Sequence, residues 1–329
     1  MQRKTRTISL MMVVLSIPVS SIGMQALQKK QHEIADEQKK RSSNVPERIV
    51  TSQEREFLQA DYKNKYGLAE QEGRAGQDRS AVEITDNYAF FGVFDGHGGH
   101  QVAEHASKNL WKNCDLTGPA QIGEIKNALM KGFLKTDKEL ESFGIDAQMM
   151  GSTATVAVIR GNMLVVANAG DSRAVLCRNG AAIALSQDHK PDRADEKDRI
   201  EAADGKVIFY GVSRVGSPNS AYMLAVSRAL GDKQLTGKEG NRLVIPDPEF
   251  QEMNPLMQED EFIILACDGV WDVLSNQQAV DLVRSELQKK SPDLKNLIGA
   301  DYKQAAQALL KRARAGTNDD LTVIVVGLK

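Results

Sequence analysis

Short apolar runs recur along the 329-residue chain and are separated by polar segments that often contain glycine. Such runs predict β-strands, and the clearest of them are Tyr88–Phe94, Thr153–Ile159, Met163–Asn168, Phe262–Cys267 and Leu321–Val326. Other segments carry apolar residues every three or four positions and predict amphipathic helices, as in Gln101–Trp111 and Gln277–Leu287. Strands and helices do not alternate strictly. The pattern therefore favours an α+β fold with antiparallel sheets over a doubly wound parallel sheet.

The N-terminal part of the chain has a different pattern. A basic segment, Arg3–Arg6, precedes the apolar stretch Ile8–Val19, which is typical of a secretory signal. We expect residues 1–26 to form a signal peptide or an apolar N-terminal segment, too short and interrupted for a stable membrane span. Residues 27–47 are polar and predict a linker, and residues 48–329 are expected to form one folded domain. If residues 1–26 are a signal peptide, we expect the protein to be secreted or exported. Otherwise we expect it to be cytoplasmic.

Composition narrows the functional classes. The chain is 41% hydrophobic and 26% charged, and its 42 basic and 44 acidic residues give a net charge of -2. This balance argues against a general nucleic-acid-binding protein. The three cysteines, Cys114, Cys177 and Cys267, form no C-x-x-C pair, which argues against a disulfide scaffold and a thiolate zinc site. We expect a globular protein that is monomeric and has no nucleic-acid partner.

Aspartates stand at the ends of several predicted strands. Asp95, Asp171 and Asp268 follow apolar runs, and Asp319 lies just before the last one. A single Asp-Gly pair is most simply a turn, but several carboxylates from distant segments make an oxygen-rich site for a hard divalent cation. Clustered carboxylates repel one another unless a cation compensates their charge. Two such ions about 4 Å apart would lower the pKa of a bound water and hold a phosphoryl group.

Other catalytic motifs are missing from the sequence. Gly96–His100 matches neither G-x-G-x-x-G nor G-x-x-x-x-G-K-[ST], so a phosphate-cradling glycine loop is not indicated. The chain also has no H-E-x-x-H zinc motif and no G-x-S-x-G nucleophile elbow. The strand-end aspartates therefore carry the functional prediction.

Nine segments, taken in order, resemble the PPM (type 2C) family of metal-dependent serine/threonine protein phosphatases. The resemblance runs from about Tyr66 to Val326. The segments are Gly73-Arg74 with Gln77-Asp78, Phe94–Gly99, Gly151–Ala154, Ala169–Ala174, Asp188–Pro191, Arg199–Glu201, Leu224–Asp232, Ala266–Asp272 and Asp319–Thr322. One such segment alone would be weak evidence, but nine in the family's order are specific.

The resemblance implies an α-β-β-α sandwich, in which two packed antiparallel sheets are flanked by helices. It also implies two Mn²⁺ or Mg²⁺ ions in each active site and a weaker third in some family members. The implied ligands are Asp95, which would bridge both ions, the backbone carbonyl of Gly96, Asp268, Asp319 and, through water, Asp78.

The remaining implied roles concern the third ion and the reaction. Asp171 matches the third-metal position, and His97 matches the proposed general acid that protonates the leaving oxygen. Arg74 matches the arginine that holds the phosphate as a planar fork. The implied reaction is attack by a water that bridges the two ions on phosphoserine or phosphothreonine in proteins, without a phosphoenzyme.

The sequence departs from the family pattern near the phosphate-binding position. The spacing from Arg74 to Asp78 is one residue shorter than usual, so Arg79 is an alternative phosphate ligand. Gln77 replaces the commoner glutamate, and Asp320 stands where many members have asparagine. Two alternatives therefore stay open beside a protein phosphatase, namely a pseudophosphatase or phosphoprotein-binding scaffold, and a phosphatase of a small phosphomonoester.

Overall fold

The computed structural model describes residues 62–118, 121–142, 147–218 and 221–329. The predictions for residues 1–26 and 27–47 lie outside these ranges. The strands are β1 (Tyr66–Gln71), β2 (Arg79–Ile84), β3 (Ala89–Phe94), β4 (Gly96–His97), β5 (Gly151–Ser152), β6 (Ala154–Arg160), β7 (Met163–Ala169), β8 (Arg173–Arg178), β9 (Ala181–Ala184), β10 (Lys206–Tyr210), β11 (Val212–Gly216), β12 (Met223–Leu224), β13 (Leu230–Gly231), β14 (Glu249–Met253), β15 (Asp260–Ala266) and β16 (Leu321–Gly327).

The helices flank these strands in sequence and in space. They are α1 (Gln101–Asn113), α2 (Ile122–Glu139), α3 (Ala194–Ala202), α4 (Asp268–Trp271), α5 (Asn276–Gln288) and α6 (Gly299–Arg314), with 3₁₀ turns at Tyr62–Asn64 and Lys238–Gly240. Both predicted helices are present, as α1 and α5. None of the helices within the described ranges is long and apolar enough to cross a membrane.

Two five-stranded antiparallel sheets form the centre of the fold. The first has the strand order β1-β16-β15-β8-β9, and the second has the order β14-β7-β6-β3-β2. Every pair of neighbours in both sheets is antiparallel. The five predicted strands correspond to β3, β6, β7, β15 and β16 and occupy positions inside the two sheets.

Each central strand is buried on both faces, which explains its continuous apolar sequence. Along β16, Leu321, Val323 and Val325 pack towards helices, whereas Ile324 and Val326 join the cluster that lies between the two sheets. Side chains alternate between the two faces of a strand. The alternation therefore places one half of each strand's side chains in the inter-sheet core and the other half under a helix layer.

Helices cover the outer face of each sheet. Helices α5 and α6 pack on the first sheet, and α1 and α2 pack on the second. Helix α5 begins at a capping box, in which the Ser275 hydroxyl accepts a hydrogen bond from the Gln278 amide and the Gln278 side chain accepts from the Ser275 amide. The four layers are those of the α-β-β-α sandwich expected from the resemblance.

Candidate metal centre

Three aspartates from both sheets meet at one site. Asp95 directly follows β3, Asp171 lies two residues after β7, and Asp268 lies two residues after β15. Each offers a carboxylate oxygen within 4.8 Å of the others. The strand-end aspartates of the sequence analysis are therefore neighbours in space, although they lie far apart in the chain.

Burial and mutual repulsion raise the pKa values of these acids. Burial is the main reason that the pKa of Asp95 lies well above its usual value, and the charges of Asp268, Asp78 and Asp171 add to it. Burial, followed by the charge of Asp171, raises the pKa of Asp268 to about 7. The folded chain therefore holds a negative charge that it accommodates poorly without a cation.

The other two predicted carboxylate ligands border this group. Asp78 has one buried oxygen, Oδ2, with no hydrogen-bond partner among the described residues, and burial raises its pKa to about 6. Asp319 is exposed and lies beside Gly269, where an added Cβ would come within 3.4 Å of the Asp319 Cβ. The glycine after Asp268 thus lets the two segments approach closely.

A divalent ion fits these side chains. Within the described ranges, no lysine or arginine forms an ion pair with Asp78, Asp95, Asp268 or Asp319, and only Asp171 has a cationic partner, Lys190. Mg²⁺ and Mn²⁺ prefer oxygen ligands, and these unpaired carboxylates supply them. The orphaned oxygen of Asp78 points to the same need for a positive partner.

Thr153 fixes the backbone on which Asp95 stands. Its amide donates to the Asp95 carbonyl at 2.9 Å, and its hydroxyl accepts from the Asp95 amide at 3.1 Å. The same hydroxyl lies 2.8 Å from the hydroxyl of Ser172, which follows Asp171 in the chain. Thr153 therefore links the backbone of Asp95 to the residue that follows Asp171.

The backbone of Gly96 lies in a tight position. An added Cβ at Gly96 would come within 2.6 Å of the Gln77 carbonyl oxygen, so only glycine fits. The side-chain amide of Gln77 forms two hydrogen bonds when its oxygen and nitrogen are assigned so that both have partners. In this orientation the nitrogen donates to the Gly96 carbonyl at 2.8 Å, and the oxygen accepts from the Gly99 amide at 3.3 Å. A glutamate could not donate the first of these bonds. The second lone pair of the Gly96 carbonyl is left for another partner.

The loop that carries Arg74 is held by the carboxylate of Asp320. Its Oδ1 accepts from the amides of Gly73 at 2.5 Å and Gly76 at 3.1 Å, and its Oδ2 accepts from Gln77 at 2.6 Å. Burial opposes the charge of Asp320, but the hydrogen bonds outweigh it and lower its pKa. The carboxylate of Asp320 thus holds together the loop between Gly73 and Gln77.

The two candidate phosphate ligands have different surroundings. Arg79 donates from Nη1 to the carbonyls of Gly76 at 3.1 Å and Asp78 at 2.6 Å, so its guanidinium braces the loop. Arg74 is exposed and forms no hydrogen bond or ion pair within the described part of the chain. Of the two, Arg74 is the one whose guanidinium has no protein partner within the described ranges.

His97 is paired with a buried aspartate that the sequence analysis did not single out as a site residue. Its Nε2 lies 2.8 Å from Oδ2 of Asp232, which is fully buried, and the Tyr222 hydroxyl donates to the other oxygen at 3.2 Å. Burial opposes a charge on His97, but Asp232 outweighs this effect and raises the pKa of the imidazole. The pair favours a protonated His97 beside the acidic cluster.

Sequence reasoning missed three positioning contacts. They are made by Asp232, Asp320 and Lys190, each of which stands in a segment that the resemblance covers. Their residue types gave no local signal, because the partners come from other segments. A second acidic group, which contains Glu196 and Glu249, is paired with Arg193, Arg199 and Arg228 and is therefore a structural ion-pair network.

Comparisons with known proteins agree with this geometry. Residues 63–321 match the family model described as protein phosphatase 2C. Probable protein phosphatase 2C 45 of Oryza sativa subsp. japonica is 41% identical over 276 residues, which are 82% of this chain and 89% of that protein. Probable protein phosphatase 2C 71 of Arabidopsis thaliana is 40% identical over 276 residues, 82% of this chain but 56% of that protein.

A solved structure supports the fold separately. The crystal structure of a serine-threonine phosphatase 2C from Toxoplasma gondii superposes with a TM-score of 0.68 at 23% identity, and covers 82% of this chain and 96% of that one. The predicted sandwich of antiparallel sheets is confirmed, as is the family resemblance. The chain therefore belongs to the protein phosphatase 2C family of metal-dependent serine/threonine phosphatases.

Proposed function

We propose that this chain hydrolyses phosphoserine and phosphothreonine in proteins with two Mn²⁺ or Mg²⁺ ions held by Asp95, Gly96, Asp268, Asp319 and, through water, Asp78. The observation that carries the proposal is the set of unpaired carboxylates beside the paired His97. When bound, the ions would ionise a water near neutral pH and stabilise the charge that develops on the phosphoryl oxygens.

The chain's own residues supply the remaining steps. Arg74 is free to hold two phosphate oxygens with its planar guanidinium, which orients the phosphoryl group. His97, kept protonated by Asp232, would donate a proton to the serine or threonine oxygen as it leaves. An alkoxide is a poor leaving group, so this proton transfer lowers the barrier for the natural substrates.

The cysteine that precedes Asp268 is not suited to act as a nucleophile in place of water. Cys267 is fully buried, and its thiol donates to the Asp320 carbonyl at 3.4 Å and accepts from the Thr322 amide at 3.3 Å. Burial holds the pKa of Cys267 well above its usual value, so little thiolate is available. This favours direct attack by water over a phosphocysteine intermediate.

Phosphate release from a phosphothreonine peptide tests the proposal. The full chain would be assayed with Mn²⁺, with Mg²⁺ and with a chelator, beside Asp268→Asn and the control Asp198→Asn, which alters an exposed aspartate on α3. We expect metal-dependent release that Asp268→Asn lowers by at least about a hundredfold and that the control preserves.

Other outcomes would favour the alternatives. Binding of the phosphopeptide without release, in a folded protein with either metal, would support a scaffold. Release from a small phosphate ester but not from phosphopeptides would support a phosphatase of a small phosphomonoester. Release that persists in the presence of chelator would contradict the metal-dependent reaction.

A further inference from the structure

Two short segments, each with an aspartate two residues before a basic residue, lie side by side at the acidic cluster. The first is Asp171-Ser172-Arg173, and the second is Asp188-His189-Lys190. The Lys190 ammonium contacts Oδ2 of Asp171. In return, Arg173 donates from Nε and Nη2 to the two oxygens of Asp188, at 2.9 and 2.8 Å. The segments therefore cross with two reciprocal ion pairs.

The backbone between these ion pairs is firmly held. The His189 amide donates to the Gly170 carbonyl at 3.0 Å, and the Gly170 amide donates to the His189 Nδ1 at 3.1 Å. The His189 carbonyl accepts from the amide of Ser227 at 2.8 Å and from its hydroxyl at 3.0 Å. His189 is fully buried. These bonds fix the position from which Lys190 reaches Asp171.

Lys190 distinguishes Asp171 from its neighbours. Asp95 and Asp268 share the cluster with Asp171 but have no cationic partner within the described ranges. A lysine ammonium carries one positive charge and hydrogen-bond donors, so it can neutralise a carboxylate that would otherwise need a metal ion. A divalent cation placed between Asp171 and Asp268 would have to displace this ammonium or tolerate its repulsion.

We propose that Lys190 acts as an internal cation for Asp171, so that the centre binds two divalent ions well and resists a third. The proposal rests on the metal centre of the proposed function. Asp171 then contributes to the site mainly through its pair with Lys190. A third ion enters only when its concentration is high enough to displace the lysine.

Mn²⁺ binding to the full chain, measured by equilibrium dialysis at neutral pH, tests this assignment without an activity assay. The wild type would be compared with Lys190→Met, which keeps the length of the side chain but removes its charge. Lys289→Met is the matched control, because Lys289 pairs with Glu286 on the surface of α5. Circular dichroism would establish that each variant is folded.

We expect two Mn²⁺ ions in the wild type and in the control, and a third in Lys190→Met that binds at least about tenfold tighter than any third ion of the wild type. Adding Asp171→Asn to Lys190→Met should remove this third ion. A third-site affinity in Lys190→Met within twofold of the wild type would overturn the proposal.

Two further results keep the test decisive. If Lys190→Met does not fold, Lys190→Gln is compared with the wild type instead. A third Mn²⁺ that binds to the wild type as tightly as the first two would then refute the assignment. Failure of the proposed function would look different, since it would leave these Mn²⁺ counts intact while the wild type released no phosphate from a phosphopeptide.

Discussion

Removal of the Asp320 carboxylate should loosen the loop that presents Arg74. In the structure this carboxylate is buried and accepts hydrogen bonds from the amides of Gly73, Gly76 and Gln77. Asp320→Ala leaves all three amides without that acceptor. We expect the variant to keep its fold and to bind phosphopeptide more weakly, because the loop would sample positions in which Arg74 cannot reach the phosphate.

The size of the effect follows from the hydrogen bonds. A hydrogen bond to a charged group contributes about 1.5–3 kcal/mol, and partial exposure of the loop lets water replace some of it. We therefore expect Asp320→Ala to lower the free energy of unfolding by about 2–4 kcal/mol. Asp320→Asn keeps one acceptor oxygen and should lose about half as much.

The assay combines denaturant unfolding with steady-state kinetics on a phosphothreonine peptide. Asp320→Ala should raise KM about tenfold, with a smaller change in kcat, because binding of the phosphate is affected before the chemistry is. Arg74→Ala should raise KM in the same way. If both residues act through one loop, the double variant should be scarcely worse than Arg74→Ala alone.

Two results would refute this reasoning. The first is an unchanged KM in Asp320→Ala together with a lower unfolding free energy, which would make Asp320 purely structural. The second is fully additive KM effects in the double variant, which would mean that Asp320 acts independently of Arg74.

Three further predictions concern the acids and the histidine pair. Without metal, the melting temperature should fall from pH 5 to pH 8. The reason is that ionising Asp78 (pKa about 6) and Asp268 (pKa about 7) costs more in the folded than in the unfolded chain. A flat profile, or an equally steep fall in the Asp268→Asn variant, would contradict this. Asp232→Asn should slow phosphate release from a phosphothreonine peptide about tenfold more than it slows hydrolysis of p-nitrophenyl phosphate, whose leaving group needs no proton. An equal loss of rate with both substrates would argue against an acid role for His97. Gly151→Ala should likewise slow phosphate release from phosphothreonine more than hydrolysis of p-nitrophenyl phosphate, because the added Cβ would lie 2.1 Å from Asp232 Oδ2 and disturb its pair with His97. Wild-type kinetics would contradict that geometry.

The amino-acid sequence determined the fold class and the aspartates that approach one another in the acidic cluster. Continuous apolar runs predicted strands buried on both faces, and these became the inner strands of two antiparallel sheets. Asp95, Asp171 and Asp268 were recognisable because a carboxylate within two residues of the end of a buried strand is costly unless it has a partner. Local pattern was sufficient here, since both signals depend on residues that are adjacent in the chain.

Only the tertiary structure decided which side chains hold these groups in place. His97 and its partner Asp232 are 135 positions apart, and Gly73 and Asp320 are 247 positions apart. Such contacts exist because the two sheets pack face to face and bring their strand ends together. The partner of a buried polar group depends on that packing, and no local periodicity encodes it.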